Sequence, residues 1–449
     1  MESILKLIFS GKCMNEALIM SSPSSLTIEP TTRCNFSCAM CVKQVPGNEI
    51  ENGDLSFSTF TKLEPAFGGL KKLIFSGIGE PLLHPELDRF IAGANGLMPK
   101  ESEIGLQTNG FLLDEARLDS LLDSGLDVIC VSLDAASPGT FKQIRAGGEL
   151  GDIENAFRIL KSAKSKRGPK SFRFGIEFVL MKQNYKDLPQ VVRWAVENGA
   201  SFAIVTNLIP YDQAGESECR YSPNTTLSAD FYQRWKEKAD DLNLDLDAYL
   251  KQRWKYHWKA QKTPEEQALA DFGKEMLNEA YSKQIPLHTS NLIGDSIAEL
   301  NRTKEILAEA LEIARETGLD LTLPELSPKF ERQCHFVEED SSFISWRGEV
   351  YPCYFLWHQY SFFQNGRRVK VAEKSFGQLQ KKPIREIWNS TDYRSFREKV
   401  LKYDYPFCEN CNLGPCNLFT EKPFEYDCYA NDIPCGCCPW CGGLLHCLR

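Results

Sequence analysis

Leu26-Thr27-Ile28-Glu29-Pro30-Thr31-Thr32-Arg33-Cys34-Asn35-Phe36-Ser37-Cys38-Ala39-Met40-Cys41 is the stretch on which the reading of this chain turns. Its first residues, Leu26–Glu29, form a short apolar run bounded by Pro30, which reads as a strand. The three cysteines follow on a loop with the spacing C-x3-C-x2-C. Downstream the same grammar repeats. Lys72–Phe75, Glu103–Thr108, Val128–Leu133, Arg173–Leu180 and Phe202–Asn207 read as further strands. Between them lie amphipathic stretches at Ser58–Phe67, Pro85–Gly93, Leu113–Ser124, Ile153–Ser165 and Leu188–Asn198. Alternation at this spacing makes an α/β chain of parallel strands with right-handed crossovers. About six units fit, fewer than the eight of a closed barrel. Ligands then belong at the C-terminal ends of the strands.

The alternation breaks near Tyr211. Ser228–Lys283 is polar, helical in period and carries Tyr232, Trp235, Tyr249, Trp254, Tyr256 and Trp258. It reads as a helical insertion whose aromatic residues either pack a small subdomain or form a docking surface. A helix at Thr303–Thr317 and a strand at Asp320–Thr322 resume the pattern. The expected division is an N-terminal extension over 1–24, a core over 25–211, the insertion over 212–302, a last helix–strand unit over 303–329, and a cysteine-rich part over 330–449.

Of 449 residues, 52 are Lys or Arg and 61 are Asp or Glu, a formal net charge of −9. This acidic balance argues against a nucleic-acid binder. No apolar run reaches the roughly 20 residues of a membrane helix, and Glu2, Lys6, Lys12 and Glu16 interrupt any signal-peptide core. A cytoplasmic protein is therefore expected. It holds 17 cysteines, 11 of them from Cys334 onward. In a reducing compartment thiols serve metal sites rather than disulfides. Three thiolates on one loop suit three irons of a [4Fe–4S] cube with the fourth iron open, whereas zinc favours four protein ligands.

Cys34, Cys38 and Cys41 resemble the motif of the radical S-adenosylmethionine (radical SAM) enzymes. Gly77-Ile78-Gly79-Glu80-Pro81, after the second strand, resembles that family's GGEP motif, whose backbone binds the methionine amino group. Glycine there lets backbone carbonyls approach a ligand closely. Thr108-Asn109-Gly110 ends the third strand. Ser132-Leu133-Asp134 ends the fourth, where the family contacts ribose and carboxylate. The resemblance further implies that Arg145 pairs with the methionine carboxylate, that Asn184 and Thr206–Pro210 lie at the adenine and ribose, and that Met40, standing where the family usually has an aromatic residue, covers the adenine face. It implies a partial (β/α)6 TIM-like barrel and a reductively formed 5′-deoxyadenosyl radical that abstracts hydrogen from substrate.

The cysteine-rich part resembles the SPASM domain, a C-terminal extension that holds auxiliary [4Fe–4S] clusters. Thirteen residues separate Cys334 from Gly348, and four more precede Cys353, delivered by a hairpin over Ser345–Cys353. Cys408-x2-Cys411-x4-Cys416 follows, then Cys428, Cys435, Cys437, Cys438, Cys441 and Cys447. The x4 stands where the family has x5, and eleven residues rather than three precede Cys428. Two auxiliary clusters would draw on Cys334 and Cys353, on Cys408, Cys411 and Cys416, and on tail thiols among Cys428, Cys435, Cys438 and Cys441. A small zinc site in the tail is the alternative. Cys13, Cys130 and Cys219 read as ordinary thiols. The tail Tyr429–Leu448 is similar to SPASM proteins associated with metalloenzyme maturation, among them cofactor-modifying proteins linked to tungsten-containing aldehyde oxidoreductases. The expected function is an oxidoreductase-type maturase of a peptide, protein or metalloenzyme cofactor, fed by a ferredoxin- or flavodoxin-type donor. Tyr211, Asp212 and Glu177 are candidates for a base or radical relay. The alternative is a non-catalytic iron–sulfur carrier or scaffold.

Overall fold

In the strands the two faces carry different chemistry, and this split organises the molecule. The computed structural model describes residues 22–48, 50–293, 296–329, 331–364, 366–408, 411 and 424–449. Cys13, Cys416 and most of the expected N-terminal extension lie outside them. The strands are β1 (Ser25–Ile28), β2 (Lys72–Phe75), β3 (Glu103–Thr108), β4 (Val128–Ser132), β5 (Arg173–Leu180) and β6 (Phe202–Asn207), all parallel, followed by β7 (Asp320–Thr322). Side chains alternate across a strand. Leu26, Ile28, Leu73, Phe75, Ile104, Leu106, Ile129, Val131, Phe174 and Ile176 join the main core with the covering helices. The opposite face lines the barrel interior. At its floor Ile74, Val128, Cys130, Phe202 and Ile204 form a separate apolar cluster. Toward the C-terminal ends the same columns turn polar, through Thr27, Ser76, Gln107, Ser132, Glu177 and Thr206. A dry floor and a polar rim place the chemistry at the rim.

Beyond the six-strand core the sheet has further members. β8 (Ser341–Ile344), from the cysteine-rich part, pairs in parallel with β1, and β9 (Val350–Tyr351) pairs antiparallel with β8. The order is β7-β6-β5-β4-β3-β2-β1-β8-β9. The expected hairpin is thus built onto the barrel sheet itself. The C-terminal tail returns to the open side. His446 N–H donates to Thr206 Oγ1 at 3.0 Å, Asn207 Nδ2 donates to the Leu444 carbonyl at 2.8 Å, and Glu325 N–H donates to the Gly443 carbonyl at 2.9 Å. Leu448 completes the floor cluster.

The insertion is helical, over Thr226–Asp241, Leu246–Lys251, Arg253–Trp258 and Pro264–Ser282. Thr225, Asp245 and Thr263 cap three of these helices with side-chain oxygens. Tyr232, Trp235 and Tyr249 pack its own core, whereas Trp254 and Trp258 are 70% and 79% exposed. The helix Ser296–Thr317 packs on Leu188–Glu197. Ile384–Trp388 and Thr391–Leu401 are two further helices, the second capped by Ser390, whose side chain accepts Tyr393 N–H. An antiparallel hairpin, β10 (Tyr360–Gln364) and β11 (Arg367–Val371), was not visible in the sequence pattern. Among the described residues no helix is long and apolar enough to cross a membrane.

Candidate functional site

The cysteine loop is pinned from both sides. Thr32 Oγ1 donates to the Glu51 carbonyl at 2.7 Å and accepts Gly53 N–H at 2.9 Å, while Lys43 Nζ donates to the Thr32 carbonyl at 2.6 Å. On the other side Ser37 N–H donates to Ala146 O at 2.7 Å and Ala39 N–H to Ile144 O at 2.8 Å. Phe36 is the buried anchor. A Cβ on Gly148 would stand 2.2 Å from its ring, so only glycine permits this packing. The result is three half-buried thiols, Cys34, Cys38 and Cys41, on one loop at the rim, none in a disulfide. Burial raises all three thiol pKa values, that of Cys41 to about 11. Metal binding must therefore displace protons. Phe36 N–H at Cys34 and the Arg145 guanidinium at Cys38 oppose the burial.

Gly77–Pro81 lies against this loop, and its glycines serve packing. A Cβ on Gly79 would fall 2.3 Å from the Thr31 carbonyl oxygen and 2.6 Å from that of Arg33. Glu80, fully buried, ties the rim together. Its Oε1 accepts Leu82 N–H at 3.0 Å and Thr108 Oγ1–H at 2.7 Å, and its Oε2 accepts Asn109 N–H at 2.7 Å. Burial raises its pKa and these three donors oppose the rise. Asn109 Nδ2 in turn donates to Asn35 Oδ1 at 2.8 Å, which leaves Asn35 Nδ2 as a buried donor without a protein partner beside the cysteines.

Three of these side chains have protein partners. Arg145 Nε donates to Asp134 Oδ2 at 2.5 Å. Burial opposes the Arg145 charge, but Asp134, Cys38 and Glu177 outweigh it and hold its pKa above the usual value. Asp134 is fully buried, with its other oxygen accepting Val179 N–H at 2.7 Å. Asn184 Nδ2 donates to the carbonyls of Asp134 and Val179, both at 2.9 Å, and its Oδ1 accepts Met181 N–H at 2.8 Å. Asp134 and Asn184 therefore hold strand ends in place. Strand-end position identified the region; it did not fix where the side chains point. Met40 packs with Ile144, Met181 and Leu208 at the ends of β5 and β6. Ser132 sits opposite Glu177, whose pKa burial raises to about 8 against the pull of Arg145, and Gln107 Nε2 donates to that carboxyl. Asp212 caps a helix through Gly215 N–H at 2.7 Å.

Two residues that sequence reasoning missed link this rim to the cysteine-rich part. Glu29 Oε1 accepts Ile78 N–H at 3.1 Å, and His358 Nε2 lies 3.1–3.2 Å from both carboxylate oxygens. A charged residue ending an otherwise apolar strand was the available signal. Tyr211 and Tyr360 meet edge to face at 5.6 Å. Burial raises the Tyr211 pKa and Cys41 adds to the rise, so this pair borders the first cysteine loop.

On the far side of Tyr360 the structure gathers Cys334, Cys353, Cys435, Cys438 and Cys441, all buried. Cys441 is the acidic member: Cys334 and Cys438 donate to it and Arg332 adds positive charge, drawing its pKa well down. Cys353 is pushed up to about 12 by burial, against the N–H groups of Leu356 and Phe355. Arg332 braces the nest, donating to the Cys435 and Gly436 carbonyls at 2.8 and 2.7 Å. Cys408 N–H donates to Gly436 O at 3.0 Å, so the second cysteine group abuts the first. Cys411 is half-buried, Cys428 is exposed, and Cys416 lies outside the described residues. Among the described residues no three His, Cys, Asp or Glu side chains stand together as ligands of a single ion. A four-iron cube carries one thiolate per iron and so spreads its ligands farther apart. Five thiols around one buried volume, with a cation beside them, fit such a group, and the three-thiol loop with its open donor at Asn35 fits a cube of which one iron is left free.

Comparison with known proteins gives the same answer. Residues 28–195 match the radical SAM superfamily and residues 334–412 the SPASM iron–sulfur cluster-binding domain. The chain is 29% identical over 427 residues, 94% of its length and 96% of the relative's, to the tungsten-containing aldehyde ferredoxin oxidoreductase cofactor-modifying protein of Pyrococcus furiosus. It is 31% identical over 237 residues, 49% of its length and 75% of the relative's, to a probable GTP 3′,8-cyclase of Methanocaldococcus jannaschii. In fold it is similar to Streptococcus suis SuiB bound to S-adenosylmethionine, with a TM-score of 0.51 at 14% identity over 86% of this chain and 70% of the other. The chain belongs to the radical SAM superfamily and carries a SPASM iron–sulfur domain.

Proposed function

We propose that this chain is a radical SAM maturase that modifies a metalloenzyme cofactor. The observation that carries this is the pairing of the two cysteine sites. A three-thiol loop sits at the polar barrel rim, and a buried thiol nest faces it across Tyr211 and Tyr360. Near full-length similarity to a cofactor-modifying protein supports the substrate class. Cys34, Cys38 and Cys41 would ligate the catalytic [4Fe–4S] cluster; reduced and loaded with S-adenosylmethionine, that cluster supplies a 5′-deoxyadenosyl radical for hydrogen abstraction. The backbone of Gly77, Ile78 and Gly79 would hold the methionine amino group, and Glu80 holds Asn109 N–H. Ser132 would contact the ribose. Arg145, anchored by Asp134, places a cation against Cys38. Cys334, Cys353 and tail thiols including Cys438 and Cys441 would hold one auxiliary cluster; Cys408 and Cys411 would begin a second. Electrons would come from a ferredoxin- or flavodoxin-type protein.

The test is anaerobic. The reconstituted chain is reduced, mixed with S-adenosylmethionine and assayed for 5′-deoxyadenosine. Reductant-dependent product is expected. Intact clusters without product would leave an iron–sulfur carrier or scaffold.

A further inference from the structure

Glu29 is the residue after β1 and is fully buried. Its N–H donates to the Ile344 carbonyl of β8 at 2.9 Å, so the pairing of β1 with β8 fixes where its side chain begins. A carboxylate taken out of water needs donors around it. Its Oε1 accepts Ile78 N–H at 3.1 Å, and Trp346 N–H approaches Oε2 at 3.5 Å. His358 Nε2 stands 3.2 and 3.1 Å from the two oxygens. A carboxylate accepts, which assigns Nε2 as the protonated ring nitrogen. One donor thus belongs to the Gly77–Pro81 segment and two to the SPASM part, where His358 follows Cys353 by five positions.

The contact is close enough to aim a backbone. A Cβ on Gly77 would fall 2.5 Å from Glu29 Cγ and 2.8 Å from its Oε1, so the carboxylate arm lies directly on the Gly77 backbone. A trans peptide is planar, and its N–H and C=O point opposite ways. Ile78 N–H turned onto Glu29 therefore turns the Gly77 carbonyl away from Glu29. Whatever holds the carboxylate holds the direction of that carbonyl. The same SPASM segment grips the other side of the loop root. A Cβ on Gly53 would fall 2.1 Å from the Trp346 ring, and the Gly53 carbonyl accepts Thr32 N–H at 3.1 Å.

We infer that His358 is a positioning residue for S-adenosylmethionine. By holding the Glu29 carboxylate it fixes Ile78 N–H, and so aims the Gly77 carbonyl at the methionine amino group. The inference rests on the proposed reading of the Gly77–Gly79 backbone. It adds that the SPASM part controls that backbone through one histidine. A histidine that merely satisfied a buried carboxylate would support stability alone. A positioning histidine supports affinity for the ligand.

The test compares His358→Asn with His358→Gln in the reconstituted full chain. Glutamine brings an N–H donor to about the place of Nε2, and asparagine is one methylene short. Native-state hydrogen exchange, run without S-adenosylmethionine, follows the segment holding Ile78. Equilibrium dialysis gives the dissociation constant for S-adenosylmethionine, and 5′-deoxyadenosine formation gives KM and kcat. In His358→Asn the Ile78 segment should exchange about tenfold faster. The dissociation constant and KM should rise about three- to tenfold, while kcat at saturating S-adenosylmethionine and iron content stay within about twofold. His358→Gln should bind S-adenosylmethionine within about twofold of wild type, a result that keeps the test decisive should the asparagine variant not fold. Unchanged affinity with a lower denaturation midpoint, unchanged Ile78 exchange, or a glutamine variant that fails to restore affinity would overturn the inference. A wild-type chain that binds no S-adenosylmethionine sinks the reading of the Gly77–Gly79 backbone. Wild-type binding that His358→Asn leaves unchanged sinks the positioning role alone.

Discussion

Replacing Glu80 with glutamine separates a rim-holding role from a ligand-binding one. The carboxylate accepts three hydrogen bonds in a fully buried setting. Glutamine keeps one oxygen, which can still accept Leu82 N–H and Thr108 Oγ1–H. Its NH2 then faces Asn109 N–H, donor against donor. The loss is one charge-assisted hydrogen bond, and a buried N–H is left unpaired. Together these cost about 2–4 kcal/mol, which is roughly a 30- to 900-fold shift in the opening equilibrium of the rim. The assay is native-state hydrogen exchange followed by peptide mass analysis. In Glu80→Gln, segments containing Leu82 and Asn109–Phe111 should exchange faster by that factor, while β6, whose bonds do not involve Glu80, keeps its protection. The change requires no S-adenosylmethionine. Unchanged exchange at Asn109, with altered S-adenosylmethionine affinity, would refute the holding role and return Glu80 to the ligand.

Three further outcomes follow from the same geometry. Glu177 has a folded pKa of about 8 against an ordinary 4.5, so its contribution is fully present below 4.5 and is lost progressively as pH rises through 8; the wild-type denaturation midpoint should fall between pH 4.5 and pH 8, and Glu177→Gln should flatten that fall, an unchanged slope counting against the assignment. Gly148→Ala drives a methyl into the Phe36 ring, costs about 1–3 kcal/mol and should reduce the iron signal that responds to S-adenosylmethionine while sparing SPASM iron; a full response would contradict the packing. Leu448→Ala empties the floor of the barrel and should destabilise the fold by about 2–4 kcal/mol, read as a lower denaturation midpoint; no change would mean the tail is not a structural plug.

What the sequence showed, it showed through local rules. The alternation of apolar residues marks β2, β3, β5 and β6 to the residue, because each buries its outward face under an amphipathic helix; β7, which has no buried residue, is marked by the Pro324 that closes it. The cysteine spacing marks the loop for the same kind of reason: three thiols within one turn have few other uses. Long-range pairing was out of reach. Nothing in Ser341–Ile344 says that it will lie beside β1, or in Leu444–Leu448 that it will close the barrel. Side-chain direction was also out of reach. Arg145 and Asp134 stand eleven positions apart in sequence and bind each other, and Asn184 spends all its hydrogen bonds on backbone. Glu29 and His358, over three hundred positions apart, meet only in the fold.

The most direct measurement is made on a variant with Cys34, Cys38 and Cys41 all replaced by alanine. Anaerobic reconstitution should give about four irons fewer per chain than wild type, since one cube is lost. SPASM iron should remain, and reduction with S-adenosylmethionine should yield no 5′-deoxyadenosine. Nucleoside formation by this variant, or an iron content equal to that of wild type, would contradict the assignment of the cysteine loop as the catalytic cluster site.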